Sequence, residues 1–209
     1  MGAALKRQDE VFTPRQQVVL TAALDLLVEG GDALTMTAVA RRASCSKETL
    51  YKWFGDRDGL LTATVQWQAA KVRVPHVDRY RLDAATLKTS IEQFARDLLG
   101  TLAGEVSVTL NRLAVTDAAG PRRGLGTIVL ENGRREMGRR LKPVLEAGRD
   151  ARLLQFDSSE EAFRCFFGLV VRDVQIRLLL GDELKLSPEQ IDRDARAATE
   201  QFLSLFGRT

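Results

Sequence analysis

Apolar residues recur at intervals of three and four along most of the chain, the spacing of a single buried stripe on a helix. The first stripe is Val19, Ala22, Ala23, Leu26 and Leu27. Thr13-Pro14-Arg15-Gln16 predicts its start, with Thr13 as N-cap, Pro14 at the first helical position and Gln16 closing a capping box. Gly30-Gly31 predicts its end. Thr35 caps a second helix, about 36–43, with Met36, Val39, Ala40 and Ala43 inward. After the tight turn Ser44-Cys45-Ser46 comes a third helix, about 47–54, held inward by Leu50 and Phe54. That leaves Lys47, Glu48, Thr49, Tyr51 and Lys52 to point outward or sideways. Asp56 is the N-cap of a fourth helix that runs through Leu60, Leu61, Val65 and Trp67 to Val74, where Pro75 stops it.

The remainder is also helical. Leu87, Ile91, Phe94, Leu98 and Leu102 mark one helix that Gly104 breaks, and Val106, Leu110, Leu113 and Ala114 mark the next. Pro121 restarts the chain in a long segment striped by Leu125, Ile128, Val129, Met137, Leu141 and Leu145, in which Pro143 predicts a kink or a break. Ser158-Ser159-Glu160-Glu161 opens a helix that is apolar around most of its circumference and runs to Gly181, so two of its faces should be covered. Ser187-Pro188-Glu189-Gln190 opens the last, striped by Ile191, Ala195, Ala198, Phe202 and Leu205. No alternating run bounded by turn residues predicts a strand.

The fold class is therefore all-α. An N-terminal three-helix domain (13–60) contains a helix-turn-helix whose second helix is shaped to lie in a DNA major groove. A frayed tail (1–12) precedes it, and a helical remainder (61–209) follows, with the stretch from Pro75 to Leu82 as linker. Two terminal helices so rich in apolar residues predict packing on a second copy of the chain, which makes Phe166, Val174, Leu178, Ala195, Ala198 and Phe202 the candidate dimer interface.

Charge sharpens the reader. Over residues 1–60 eight Lys/Arg balance eight Asp/Glu, yet from Thr35 to Arg57 five basic residues meet only Glu48 and Asp56. Arg57 at the start of a helix opposes the helix dipole, which makes sense where a phosphate shares the site. Lys6 and Arg7 belong either to the tail or to an arm that touches phosphates. From Arg122 to Arg152 nine basic residues exceed four acidic ones, a solvated face or a second anion-binding surface.

Composition excludes several classes. No apolar run reaches the length of a membrane span and no signal sequence precedes the first helix, so a cytoplasmic protein is expected. Cys45 and Cys165 fit no metal-ligand spacing and should be small buried residues. The single histidine, His76, rules out multi-histidine metal sites and belongs at a helix end or the surface. There is no glycine-rich phosphate loop, nucleophile elbow or metal cluster, so neither an enzyme nor a cofactor is indicated. A redox switch through Cys45 would need an exposed, acidified thiol, whereas the turn position favours burial.

The ordered set Thr35, Val39-Ala40-Arg41-Arg42-Ala43, Ser44-Cys45-Ser46, Thr49-Leu50-Tyr51, Trp53-Phe54 and Arg57 before Leu60-Leu61 resembles the DNA-binding domain of TetR-type transcriptional regulators. Ser44 stands where that family usually has glycine, so a non-glycine residue must take a left-handed conformation at a cost of about 1 kcal/mol. More loosely, the chain from Pro121 resembles the subgroup typified by AefR.

The resemblance implies a homodimeric repressor on a palindromic double-stranded operator. Thr35 and Thr37 would approach the backbone or a base. Lys47, Glu48 and Thr49 would meet base edges, Ser46 beside them belongs to the same DNA-binding set, and Tyr51, Lys52, Trp53 and Arg57 would position the reader on phosphates. It also implies an unknown small-molecule ligand in the C-terminal helices that changes the separation of the two readers. Candidate contacts for that ligand are Phe94, Leu98, Leu110, Phe163, Phe167 and Val170, each equally a core residue. The polar groups Asn111, Arg112 and Arg172 would orient it.

Overall fold

A computed structural model describes residues 12–29, 34–74, 77–119 and 124–208. Within these, the helices are α1 (Pro14–Glu29), α2 (Met36–Arg42), α3 (Lys47–Phe54), α4 (Arg57–Ala69), α5 (Ala84–Ala103), α6 (Glu105–Ala119), α7 (Gly124–Val129), α8 (Arg135–Asp150), α9 (Ser159–Val171), α10 (Val174–Leu179) and α11 (Pro188–Phe206). A five-residue π-helical turn, Leu130–Arg134, joins α7 to α8. No strand is formed among the described residues, only an isolated bridge between Leu154 and Gly207. None of the described helices is long and apolar enough to cross a membrane. Lys6, Arg7, Gly30, Gly31, Pro75, His76 and Pro121 lie outside the described residues.

The caps act where local chemistry places them. Thr13 and Gln16 close their box in both directions, Thr13 N–H to Gln16 Oε1 at 2.8 Å and Gln16 N–H to Thr13 Oγ1 at 3.3 Å. Thr35, Asp56, Ser158 and Ser187 each accept from the backbone N–H three residues on. Asp83 and Ser46 do the same for α5 and α3, two caps not foreseen from the pattern.

The described residues fall into two compact units, one drawn from Met1–Ala70 and Thr109–Gly133, the other from Lys71–Val108 and Arg134–Thr209. In the first, α1 packs on α2 and α4, α3 packs on α2 and α4, and α7 packs on α4. Its centre is Val19, Leu20, Leu27, Val39, Leu50, Leu60 and Leu61, all at most 2% exposed. In the second, α11 lies along α5 and α9, and α8 packs on α9. An aromatic series runs through it, Phe94 to Phe166 to Phe202 to Phe206, with ring centroids 6.2, 5.5 and 4.9 Å apart. Each fully buried phenylalanine contributes about 1.5–3 kcal/mol through the water it sheds.

Four expectations from the pattern need correction. The helix expected to reach Val74 ends at Ala69, because the next backbone groups have tertiary partners. Arg140 Nη1 donates to the Val72 carbonyl at 3.3 Å, and the Arg73 N–H donates to Asp97 Oδ2 at 3.0 Å. Pro143 does not break its segment: α8 continues through it. The ring is on the exposed face, where water can serve the carbonyl deprived of its helical donor, while Leu141, Val144 and Leu145 hold the other face inward.

The helix expected from Ser158 to Gly181 is interrupted at Arg172, whose φ of 45° turns the chain before α10 begins. Val174 and Leu178 consequently face the core, and Ile176 and Leu180 are exposed rather than covered. Finally, Cys45 and Cys165 are both half-buried free thiols rather than buried ones.

Candidate nucleic-acid interface

The turn between α2 and α3 is built on two backbone bonds. Cys45 N–H reaches back to Ala40 O at 3.0 Å, and Ser44 N–H reaches Arg41 O at 3.3 Å, the paired closure of a Schellman helix end. Such an end needs a left-handed residue between them, and Ser44 occupies it with φ 50°. Arg15 of α1 reaches across to the same residue, donating from Nη2 to the Ser44 carbonyl at 2.6 Å.

Ser46 then starts α3 by accepting from Thr49 N–H at 3.1 Å. Leu50 is fully buried and Phe54 nearly so, and this anchoring turns Lys47, Glu48, Tyr51 and Lys52 to the exposed side. Tyr51 is 52% exposed, a large apolar ring left outside. Trp53 is half-buried and stands edge-on to Phe54, centroids 6.2 Å apart. Thr49 is half-buried as well, its hydroxyl 3.1 Å from that of Ser46.

The electrostatics of this face are less simple than its composition. The Glu48 carboxyl is held below the ordinary carboxylate range, first by its own backbone N–H and then by the Ser46 hydroxyl. It therefore serves the positive end of α3 as well as standing on its exposed face. Arg42 is taken by Glu29 through two hydrogen bonds at 2.8 and 2.7 Å, which subtracts one cation from the five counted in this stretch. Arg57 is exposed, with Nε donating to the Leu34 carbonyl at 3.3 Å and Nη1 3.9 Å from Asp58 Oδ1. It ties the start of α4 to the residue ahead of α2. Thr35 is engaged as the α2 cap, and Thr37 is exposed beside it.

The other predicted residues are dispersed. Phe94, Leu98, Phe163 and Val170 are buried in the second unit, and Phe167 is half-buried there. Leu110, Asn111 and Arg112 are on the part of α6 that belongs to the first unit, respectively buried, half-buried and exposed. Arg172 closes α9 with its guanidinium 3.8 Å from Asp194. The interface candidates Phe166, Ala195, Ala198 and Phe202 are wholly enclosed within the chain itself, and Val174 and Leu178 keep 8% and 7% of their surface. The apolar groups left outside on the same helices are Ile176, Leu180 and Leu205 at 53%, 81% and 62% exposure. Periodicity alone does not separate those groups from the enclosed ones. Among the described residues no cluster of three or more His, Cys, Asp or Glu is arranged to hold a metal ion.

Residues 19–64 match the model of the bacterial regulatory proteins of the tetR family, and residues 89–208 match that of the AefR-like transcriptional repressor C-terminal domain. The structure is similar to the crystal structure of a TetR transcriptional regulator from Agrobacterium tumefaciens, with 49% identity, a TM-score of 0.78 and coverage of 94% of this chain and 96% of that one. It is also similar to the flavonoid-responsive regulator FrrA, at 29% identity and a TM-score of 0.67, covering 92% of this chain and 97% of FrrA.

The chain is 33% identical over 92 residues to the uncharacterized HTH-type transcriptional regulator YdeS of Bacillus subtilis strain 168. That match spans 43% of this chain and 46%, about half, of YdeS. The proteins it resembles are regulators rather than enzymes. With both halves of the chain matched and the reader's geometry intact, this protein belongs to the TetR family of DNA-binding transcription regulators.

Proposed function

We propose that the protein is a cytoplasmic homodimeric repressor, released from a palindromic operator when a small molecule binds its C-terminal helices. The observation that carries the reading is the outward face of α3, where Lys47, Glu48, Tyr51 and Lys52 stand on a helix anchored by Leu50 and Phe54. Lys47 donates to guanine O6 or N7, Glu48 accepts from cytosine N4, and the Thr49 methyl meets a thymine methyl. Ser46, Tyr51, Lys52, Trp53 and Arg57, with Thr35 and Thr37, set the register on the sugar–phosphate backbone.

One reader contacts few bases, so two copies spaced about one helical turn apart supply the length of a specific site. Ile176, Leu180 and Leu205 are the surface on which the two copies meet, with Val174 and Leu178 beneath. Release by a small molecule is supported by the match of residues 89–208 to the C-terminal domain of AefR-like repressors and by similarity to a flavonoid-responsive relative. Phe94, Leu98, Phe163 and Val170 are packed as core, so the half-buried Phe167 is the candidate that an entering molecule meets first.

Footprinting the purified protein on DNA flanking its own gene tests the reading. A protected palindrome is expected, with two readers per site and protection lost on adding the ligand. Protection of a single non-repeated half-site would overturn the homodimeric part, and protection unmoved by any small molecule would overturn release.

A further inference from the structure

Arg134 occupies a position that a core residue would normally fill. It closes the π-helical turn and stands three residues before Met137, four before Gly138 and seven before Leu141, all buried on the inward stripe of α8. Its guanidinium carbon lies 4.4 Å from the ring centroid of Phe163 and 4.4 Å from that of Phe167, two rings of α9 whose centroids are 6.0 Å apart at 62°. The cation sits in the notch of that pair, half-buried.

The notch is a constructed feature. A Cβ on Gly138 would come within 2.9 Å of the Phe163 ring, so only glycine at that place lets the ring lie against α8 under Arg134. A π-helical turn is itself a costly interruption that is concentrated at functional sites.

The rings cover the faces of the guanidinium, but none of its five N–H donors meets an acceptor among the described residues. Its neighbours are served. Arg139 and Arg140 bond Glu136 at 2.8 Å each, Lys142 bonds Glu160 at 2.9 Å, and Arg164 bonds Glu161 at 2.9 Å. Glu160 is near enough to favour the charge on Arg134, yet its hydrogen bond goes to Lys142. Burial holds the Arg134 pKa below its usual value. A partly desolvated cation with idle donors is a receptor for an anion.

From this geometry we infer that Arg134, seated between Phe163 and Phe167, anchors the carboxylate of a small organic acid. The parallel N–H pairs at a guanidinium edge match a carboxylate in two-point fashion, and the half-buried Phe167 ring offers an apolar wall to the acid's carbon skeleton while the enclosed Phe163 ring backs the guanidinium. This deepens the proposed release by a small molecule, and rests on it for the consequence at the operator but not for the binding itself.

The test is calorimetric titration of the full-length protein with paired probes: benzoate, salicylate and octanoate, each against its neutral amide, with sodium sulfate as the inorganic control. At least one carboxylate is expected to bind more tightly than its amide, and Arg134→Gln to weaken that carboxylate on the order of ten- to a hundredfold while leaving the amide unchanged. Arg134→Lys keeps the charge but not the planar fork, and is expected to retain only part of the affinity; it also serves if the glutamine variant does not fold.

Equal binding of acid and amide, carboxylate affinity unchanged in a folded Arg134→Gln or Arg134→Lys protein, or sulfate competing as strongly as the acids would each overturn the inference. Operator binding measured alongside separates the two readings. Amides that release DNA from both proteins keep the ligand response and remove the anchor. Carboxylates that bind through Arg134 without moving operator affinity keep the anchor and remove the response.

Discussion

Arg15 Nη2 donates to the carbonyl oxygen of Ser44 at 2.6 Å, linking the first helix to the left-handed residue on which the reader's turn depends. The acceptor is a backbone carbonyl, so this charged donor holds the turn from outside whichever residue stands at position 44. Ser44→Gly is expected to raise stability by about 0.5–1 kcal/mol by relieving the left-handed strain. Arg15→Ala is expected to lower it by about 1 kcal/mol and to weaken DNA binding without changing base preference. Urea denaturation and a mobility-shift series check both, and a destabilised Ser44→Gly protein would refute the assignment of strain.

Lys47 and Arg57 should separate cleanly in DNA binding. Lys47→Ala relaxes preference at one base pair in each half-site, worth about 1–3 kcal/mol of discrimination. Arg57→Ala weakens all sequences alike and lowers the salt slope by about 1. Affinities over a permuted operator set at several salt concentrations decide between these signatures. A Lys47→Ala protein that reads its operator as the parent does would remove that lysine from the base-reading face.

The terminal helices make a sharper prediction than their pattern allows. Leu180 is 81% exposed and Ile176 53%, so Leu180→Glu and Ile176→Glu should leave the subunit folded and yield monomers in sedimentation. Phe202 is fully enclosed, so Phe202→Glu should unfold the chain instead. A Leu180→Glu protein that remains dimeric would move the interface elsewhere.

Acid should loosen the second unit through its ion network. Asp192 on α11 accepts from Arg96 Nε on α5 at 2.7 Å and also from Arg196, and these bonds to Arg96 above all hold its carboxyl below the ordinary range. A group with a depressed folded pKa stabilises fully above its unfolded value, about 3.9 for aspartate, and loses that contribution as pH falls through the lower folded value. Thermal melts from neutral to strongly acidic pH should therefore show a falling midpoint, with a shallower fall in Asp192→Asn. An identical slope in the variant would assign the acid sensitivity to other carboxylates.

Gly138→Ala sets two known effects against each other. Alanine gains about 1 kcal/mol over glycine in a helix interior, but its Cβ would lie 2.9 Å from the fully buried Phe163 ring, and overpacking costs about 1–3 kcal/mol. The variant is expected to be less stable by about 1 kcal/mol in denaturant melts, and a stabilised one would show that the ring moves freely.

The starts of the helices were legible in the residues because caps are local. Thr13, Thr35, Asp56, Ser158 and Ser187 find their partners three residues away, whatever the rest of the chain does. The inward sets of α1, α2 and α3 were legible for a similar reason, since a period of three and four residues is written in the chain itself, whereas α7 buries none of its stripe and Leu205 of α11 is 62% exposed. The outward face of the reader followed from Leu50 and Phe54 alone.

Tertiary structure decided what depends on distant partners. Asp97 and Arg140 claim the backbone beyond α4, Arg172 breaks a uniformly apolar helix, and Phe166 and Phe202 join one enclosed aromatic series while Ile176 and Leu180 remain outside. Arg134 is the clearest case. In the sequence it is one of nine basic residues in a long stretch, and only the approach of Phe163 and Phe167 from another helix gives it a seat without a hydrogen-bond partner among the described residues. Periodicity says which side of a helix is buried, and only the fold says against what.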